Sequence, residues 1–186
     1  MLDSAIHPLK PELGTRKVSF SNVVYIDKSD FTMDPPPKYQ RLKPDGYVRL
    51  KGAYIIHCDE VVQDENGEVV ELKCSYIPES RSSNDTSGLK VRGTIQWVDG
   101  KTGVDAEIRK YGVLLKDAEY AGQDFGERMN LDSEHIFQGK AEPYLAESED
   151  GKQFQLMRIG YYKKCVDANG KLVLSEIVSL KDNFNK

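Results

Sequence analysis

The stretch "KYQRL" at 38–42, with Arg49 and Lys51 close behind, gathers Lys38, Tyr39, Gln40, Arg41 and two further cations in one short run. Each residue type suits one task at an unpaired nucleobase. A guanidinium fork meets the two acceptors of guanine, an amide both donates and accepts, an aromatic or guanidinium plane stacks, and an ammonium holds a phosphate. The same residues also suit an ordinary solvated surface. On their own they leave open RNA binding and a domain that scaffolds protein contacts.

Other chemistries have less to work with. His7, His57 and His135 are the only histidines, and none sits in HxH, HExxH or a Cys/His cluster, so surface or capping roles are expected of them. Carboxylates such as Asp59, Glu60, Glu147, Glu149 and Asp150 lie beside turns, as solvated loop charge does. There is no GxxxxGK[ST], GxGxxG or GxSxG to cradle a phosphate or raise a nucleophile. Cys58, Cys74 and Cys165 are odd in number and widely spaced, which predicts neither a disulfide framework nor a zinc site. No catalytic residue and no metal ligand is therefore expected in this chain.

Composition restricts the partner. Of the 186 residues 39% are hydrophobic, enough for a core, and the net charge is −4, so the whole molecule does not attract polyanions. Residues 1–51 nevertheless hold nine Lys or Arg against six acids, an excess of three positive charges that leaves seven negative for the remainder. Contact with a polyanion must be local. No apolar run reaches the 18 or so residues of a membrane span and "MLDSAIHPLKPELG" lacks a secretory apolar stretch, so no membrane partner and a cytoplasmic location are expected.

The elements that position these residues read as strands. In "YVRLKGAYIIHC", 47–58, Val48, Leu50, Tyr54, Ile56 and Cys58 alternate with Tyr47, Arg49, Lys51 and His57. "DENG" at 64–67 and "DANG" at 167–170 lie between alternating runs and predict two hairpins with type I′ turns, hence two related β modules. "KVRGTIQWV", 90–98, puts Val91, Ile95 and Trp97 inward and Lys90, Arg92, Thr94 and Gln96 outward. Four prolines make 32–46 irregular, and 78–88 reads as a long exposed loop. Within 120–137, "NLDSEHI" is the best candidate for a helical turn.

Taken in order, "HPLKPELGTRKVSFSNVVYIDKSDF", "KYQRL", "YVRLKGAYIIHCDEVVQDENGEV", "CSYIPESRS", "LKVRGTIQWV", "AEIRKYG", "GKAEPYL", "FQLMRIGYY" and "SLKD" resemble the C-terminal anticodon-binding region of glutaminyl-tRNA synthetases. Glutamyl-tRNA synthetases of the archaeal and eukaryotic type fit "KYQRL", "VRLKGAY" and "FQLMRIGYY" less well. The resemblance implies an all-β fold of two six-stranded β-barrels, of the kind in a ribosomal protein that binds 5S rRNA, with N-terminal strands exchanged. It implies a linker over 1–14, a proximal barrel over 15–37 plus 113–186, and a distal barrel over 38–112. The partners it implies are the glutamine tRNA, held by its splayed anticodon, and the catalytic and helical parts of a parent chain. A monomer is expected.

The family's positions transfer residue by residue. Arg41 falls where the third anticodon base, a guanine, is read, and Gln40 stands where a lysine is common. Lys38 is expected to hold the RNA backbone. Arg49 and Lys51 match basic positions at the first base and its phosphate, whereas Leu9 replaces an asparagine near the third base. Gln155 and Arg158 match the pair at the middle uracil. Residues three apart face opposite ways in a regular strand, so that pair requires a bulge or bend near Leu156–Met157. The HIGH-like and KMSKS-like signatures are lacking, so the chain is expected to be a piece of a larger enzyme. The parent would use ATP and Mg; this chain would bind no cofactor and catalyse nothing alone.

Overall fold

The computed structural model describes residues 1–7, 9–116 and 124–180, and strands make up nearly all of its regular structure, in two units covering 1–102 and 103–186. The all-β class expected from the sequence holds. Pairings among the described residues form a four-stranded sheet, a five-stranded sheet and two ribbons of two strands.

The first unit contains β1 (Leu2–Ala5), β2 (Thr15–Val18), β3 (Val24–Tyr25), β4 (Tyr47–Leu50), β5 (Ile55–Gln63), β6 (Val69–Ile77), β7 (Thr94–Ile95) and β8 (Val98–Asp99). Its main sheet has the order β6-β5-β4-β7, with β4 and β7 parallel; β1 pairs with β2 and β3 with β8. The sequence reading groups 15–37 with 113–186, but here they lie in the first unit. Val24 and Tyr25 pair with Asp99 and Val98, and the Phe20 ring lies 5.3 Å from those of Tyr54 and Trp97.

The run 47–58 is not one strand but two, folded back on themselves. Gly52 sits at φ +70°, the Ala53 N–H donates to the Leu50 carbonyl at 2.9 Å, and the Leu50 N–H donates to that of Tyr54 at 2.8 Å. The alternation survives on β4, whereas β5 opens with Ile55 and Ile56 both buried. Val48, Leu50, Ile56 and Cys58 bury against Leu42 and Ile95, each large aliphatic contributing roughly 1.5–3 kcal/mol. Cys58 pairs across the ladder with Cys74, which is exposed.

Both Asn-Gly hairpins form, but not with the expected turn. Only the glycines, Gly67 and Gly170, both at φ +81°, take left-handed backbone, whereas type I′ would require it of Asn66 and Asn169 as well. The aspartate is the reason. The Asp64 carboxylate accepts from the Asn66 and Glu68 N–H groups at 2.9 Å, and Asp167 does the same for Asn169 and Lys171 at 2.9 and 2.8 Å. These bonds hold a three-residue loop that closes through a left-handed glycine.

The loop over 78–88 is exposed along most of its length but pinned at its start. Ser80 is fully buried; its hydroxyl accepts from the Ile55 N–H at 2.7 Å and donates to the Ile77 carbonyl at 2.6 Å. Of the 90–98 run only 94–95 joins the main sheet. Ile95 is buried as expected, while Val91 and Trp97 are half-buried.

The second unit holds β9 (Val104–Tyr111), α1 (Phe125–Arg128), β10 (Glu134–Ala141), α2 (Pro143–Glu147), β11 (Gln153–Leu156), β12 (Gly160–Val166) and β13 (Leu172–Ser179). The sheet order is β10-β9-β13-β12-β11, with β13 parallel to β9. Its core is Ala106, Ala141, Leu145, Tyr162, Leu172 and Leu174. "NLDSEHI" is a turn and the start of β10, not a helix. The short helix lies just before it at 125–128, where the Asp124 side chain caps the Gly126 N–H at 3.0 Å.

Candidate nucleic-acid interface

In the first unit the 38–43 stretch and the 89–93 stretch together line a cavity of about 520 Å³. Their approach depends on Gly93. A Cβ there would lie 1.7 Å from the Gln40 carbonyl oxygen, so glycine alone lets the two backbones meet. Leu42 anchors the other side, buried in the core and hydrogen-bonded through its N–H to the Asp30 carbonyl at 2.9 Å.

The charged residues of the lining are Lys38, Arg41, Lys43, Lys90 and Arg92, with no carboxylate among them, and Tyr39 and Tyr47 add rings. Five cations around one concavity in a chain of net charge −4 make a local field of the opposite sign. Arg41 is already oriented. It donates to the Ser29 carbonyl at 2.9 Å and pairs with the buried Asp30 carboxylate at 3.4 Å. Lys38, exposed, holds φ +67°, a strained conformation for a residue with a side chain.

Of the residues singled out in the sequence, the structure brings Lys38, Gln40 and Arg41 together on this cavity. Arg49 and Lys51 are not in its lining. The Arg49 side chain is 20% exposed and turned to the 78–88 loop, donating to the Ser80 carbonyl at 2.6 Å, to the Ser82 hydroxyl at 3.5 Å and to the Asp85 carboxylate. Lys51 lies in the β4–β5 turn, where its carbonyl accepts from the Trp97 indole N–H at 3.0 Å. Sequence reasoning missed Lys43, Tyr47, Lys90 and Arg92 as cavity residues. The outward parity of Lys90 and Arg92 was a visible signal, but what they face depends on the approach at Gly93.

In the second unit, Gln155 is exposed on β11, opposite Tyr161, and Arg158 is exposed in the turn that joins β11 to β12. The expected break is a turn, not a bulge. β11 ends at Leu156, the Ile159 N–H donates to the Leu156 carbonyl at 2.9 Å, and Arg158 sits at φ +67°. Leaving the strand frees Arg158 from the two-residue alternation that would oppose it to Gln155. The register shift of this sheet lies in the next strand, between Tyr161 and Tyr162. Among the described residues, no group of three or more His, Cys, Asp or Glu is placed to hold a metal, and no helix is long and apolar enough to cross a membrane.

His57 stands on β5 beside the cavity's Tyr47, with Nδ1 2.7 Å from Asp59 and Nε2 3.0 Å from Asp45. The Asp59 hydrogen bond, helped by Asp45, raises the pKa of His57 above its ordinary value, and the His57 contact lowers that of Asp59. The raised histidine contributes stability that is complete below its unfolded pKa and is lost as pH rises through the folded one. The lowered aspartate contributes stability present above its unfolded pKa and lost as pH falls through the folded one. Together they act in full between the two unfolded values and fade beyond them, toward the folded ones. An NMR titration should place His57 above about 6.5 and bring it down in Asp59→Asn. A value unchanged by that substitution would remove Asp59 as the cause.

Comparison with known proteins adds to this geometry. Residues 1–77 and 94–166 each match a family model described as tRNA synthetases class I (E and Q), anti-codon binding domain. Among curated proteins, a glutamine–tRNA ligase of Clostridium perfringens is 43% identical over 190 residues, covering 99% of this chain and 34% of that protein. That of Clostridium kluyveri is 41% identical over 96% of this chain and 33% of its own length, and that of Nitrobacter hamburgensis 38% over 100% and 33%. The chain thus spans about a third of the length of the curated relatives it matches.

Proposed function

The chain belongs to the anticodon-binding domain family of the class I tRNA synthetases for glutamate and glutamine, and on that premise we propose that it recognises the anticodon of a glutamine tRNA on behalf of a glutamine–tRNA ligase. The observation that carries this reading is the cavity of the first unit, where five cations and two tyrosines meet without a carboxylate. Glutamine is preferred to glutamate because the relatives just named are glutamine–tRNA ligases. ATP and Mg chemistry belongs to the parent enzyme's catalytic part and is not a task of these residues.

Arg41 is proposed to read a guanine edge, with Gln40 beside it and Lys38 holding phosphate. Gln155 and Arg158, on the second unit, are proposed to read the middle uracil. Lys51 is proposed as a phosphate contact. Arg49 reaches RNA only by exchanging Asp85 for it.

Titration of an RNA hairpin with CUG in its loop, against hairpins with one base changed, tests the reading. Each wrong base should cost roughly 1–3 kcal/mol, by analogy with base-edge readout in duplexes. Arg158→Ala and Gln155→Ala should relax discrimination at the middle base alone. Lys38→Ala should weaken every hairpin alike and reduce the salt slope by about 1. Three variants that lower affinity for every loop equally would show that readers and positioners have been confused, and binding indifferent to the anticodon would remove the function itself.

A further inference from the structure

We propose that Tyr47, backed by His57, is a stacking platform for one unpaired RNA base at the cavity of the first unit. The proposal rests on the anticodon-binding reading and adds to it a binding residue.

Tyr47 and His57 stand directly opposite each other on β4 and β5, with ring centroids 4.4 Å apart and planes tilted by 41°. The imidazole cannot turn freely, since both its nitrogens are engaged: Nδ1 with Asp59 at 2.7 Å and Nε2 with Asp45 at 3.0 Å. Asp59 is itself fixed by the Ser75 hydroxyl at 3.1 Å. The groups facing His57 are therefore Asp45 from the loop before β4, Asp59 on its own strand, Tyr47 from β4 and Ser75 from β6. Two carboxylates on one imidazole favour its cationic form, and a cation beside a ring holds that ring in place.

On its outer side Tyr47 is 47% exposed and lines the cavity with Lys38, Arg41, Lys43 and Arg92. Its hydroxyl has no partner among the described residues. A rigid ring half open to water gains by being covered, and what surrounds it selects the cover. The cations of the lining, which holds no carboxylate, repel a basic peptide and attract a polyanion, whose phosphates they hold while a base takes the ring; the nearby Asp45 and Asp59 are engaged on His57. Tyr47 lies outside the set of residues that the sequence reading assigned to RNA.

The experiment titrates the 186-residue chain into hairpins with CUG in the loop, each carrying 2-aminopurine in place of one loop base. Stacking on a ring quenches that fluorophore. The unaltered chain and Tyr47→Phe should quench the same single position. Tyr47→Leu, which keeps an apolar strand residue, should lose that quench and bind roughly 5- to 150-fold more weakly, with an unchanged melting temperature. His57→Gln should reduce the quench without removing it.

If no loop position is quenched by the unaltered chain, or if the Leu variant quenches and binds as the unaltered chain does, the platform is overturned. In both cases hairpin binding that still discriminates single-base changes would leave the anticodon reading standing. Absence of any binding to the CUG hairpin would bring down both.

Discussion

Gly93→Ala is expected to lower the stability of the first unit by roughly 3 kcal/mol, at the upper end for overpacking, and to abolish discrimination among anticodon hairpins. The added methyl would meet the Gln40 carbonyl oxygen at 1.7 Å, its carbon at 2.8 Å and the Val48 Cγ2 at 3.2 Å. Two of these atoms are backbone, so no rotamer change relieves the clash. The Gly93 carbonyl also accepts from the Arg49 N–H at 3.0 Å, which ties the same backbone to β4. The walls must part, and Lys38, Gln40 and Arg41 move away from Lys90 and Arg92. Gly52→Ala is the control. It meets nothing within 4 Å and carries only the left-handed strain of φ +70°, about 1–2 kcal/mol, with RNA discrimination retained. Urea midpoints and hairpin titrations of the two variants separate these effects. An alanine at 93 that folds and discriminates normally would mean that the cavity is not what reads RNA.

The same glycine marks where sequence reasoning reached its limit. Alternation over 47–58 gave Val48, Leu50, Ile56 and Cys58 as buried because side-chain period is local, but it missed Ala53 and Ile55, both fully buried on the other parity, and ran straight through a fold-back that Gly52 alone announces. The Asp-x-Asn-Gly pairs located both hairpins, since the turn and its side-chain bonds span a few residues. The turn type was missed because the aspartate's bonds compete with the mirror-image turn. The cationic excess of 1–51 was countable, yet its partners Lys90 and Arg92 join it only through parallel pairing of β4 with β7, 45 residues apart in sequence. Arg49 is the plainest case. Its position in the alternation says that it points away from the core, and nothing local says that a loop thirty residues on will fold over it.

That placement leads to the other large effect, in which Arg49→Ala is expected to cost roughly 2 kcal/mol and to loosen the 78–88 loop. The guanidinium is the hydrogen-bond partner of the Ser80 carbonyl, in a residue that is fully buried, and truncation leaves that acceptor without it. Asp85 loses its guanidinium partner too, although the Ser87 hydroxyl at 2.7 Å and N–H at 2.9 Å, which contribute most to lowering its pKa, remain. Arg49→Lys should recover little, because one ammonium cannot present a planar fork to a carbonyl and a carboxylate together. Asp85→Ala should cost less than Arg49→Ala, since it leaves the buried carbonyl satisfied, and the double variant should show coupling between the two. Limited proteolysis would read the loop directly, with cleavage inside 81–88 accelerating in Arg49→Ala. A reader of the first anticodon base would behave otherwise: its removal would leave the melting curve and the loop untouched and change only which hairpins bind. If that is what Arg49→Ala does, the bonds to Ser80 and Asp85 are incidental, and Arg49 returns to the group of residues that meet RNA.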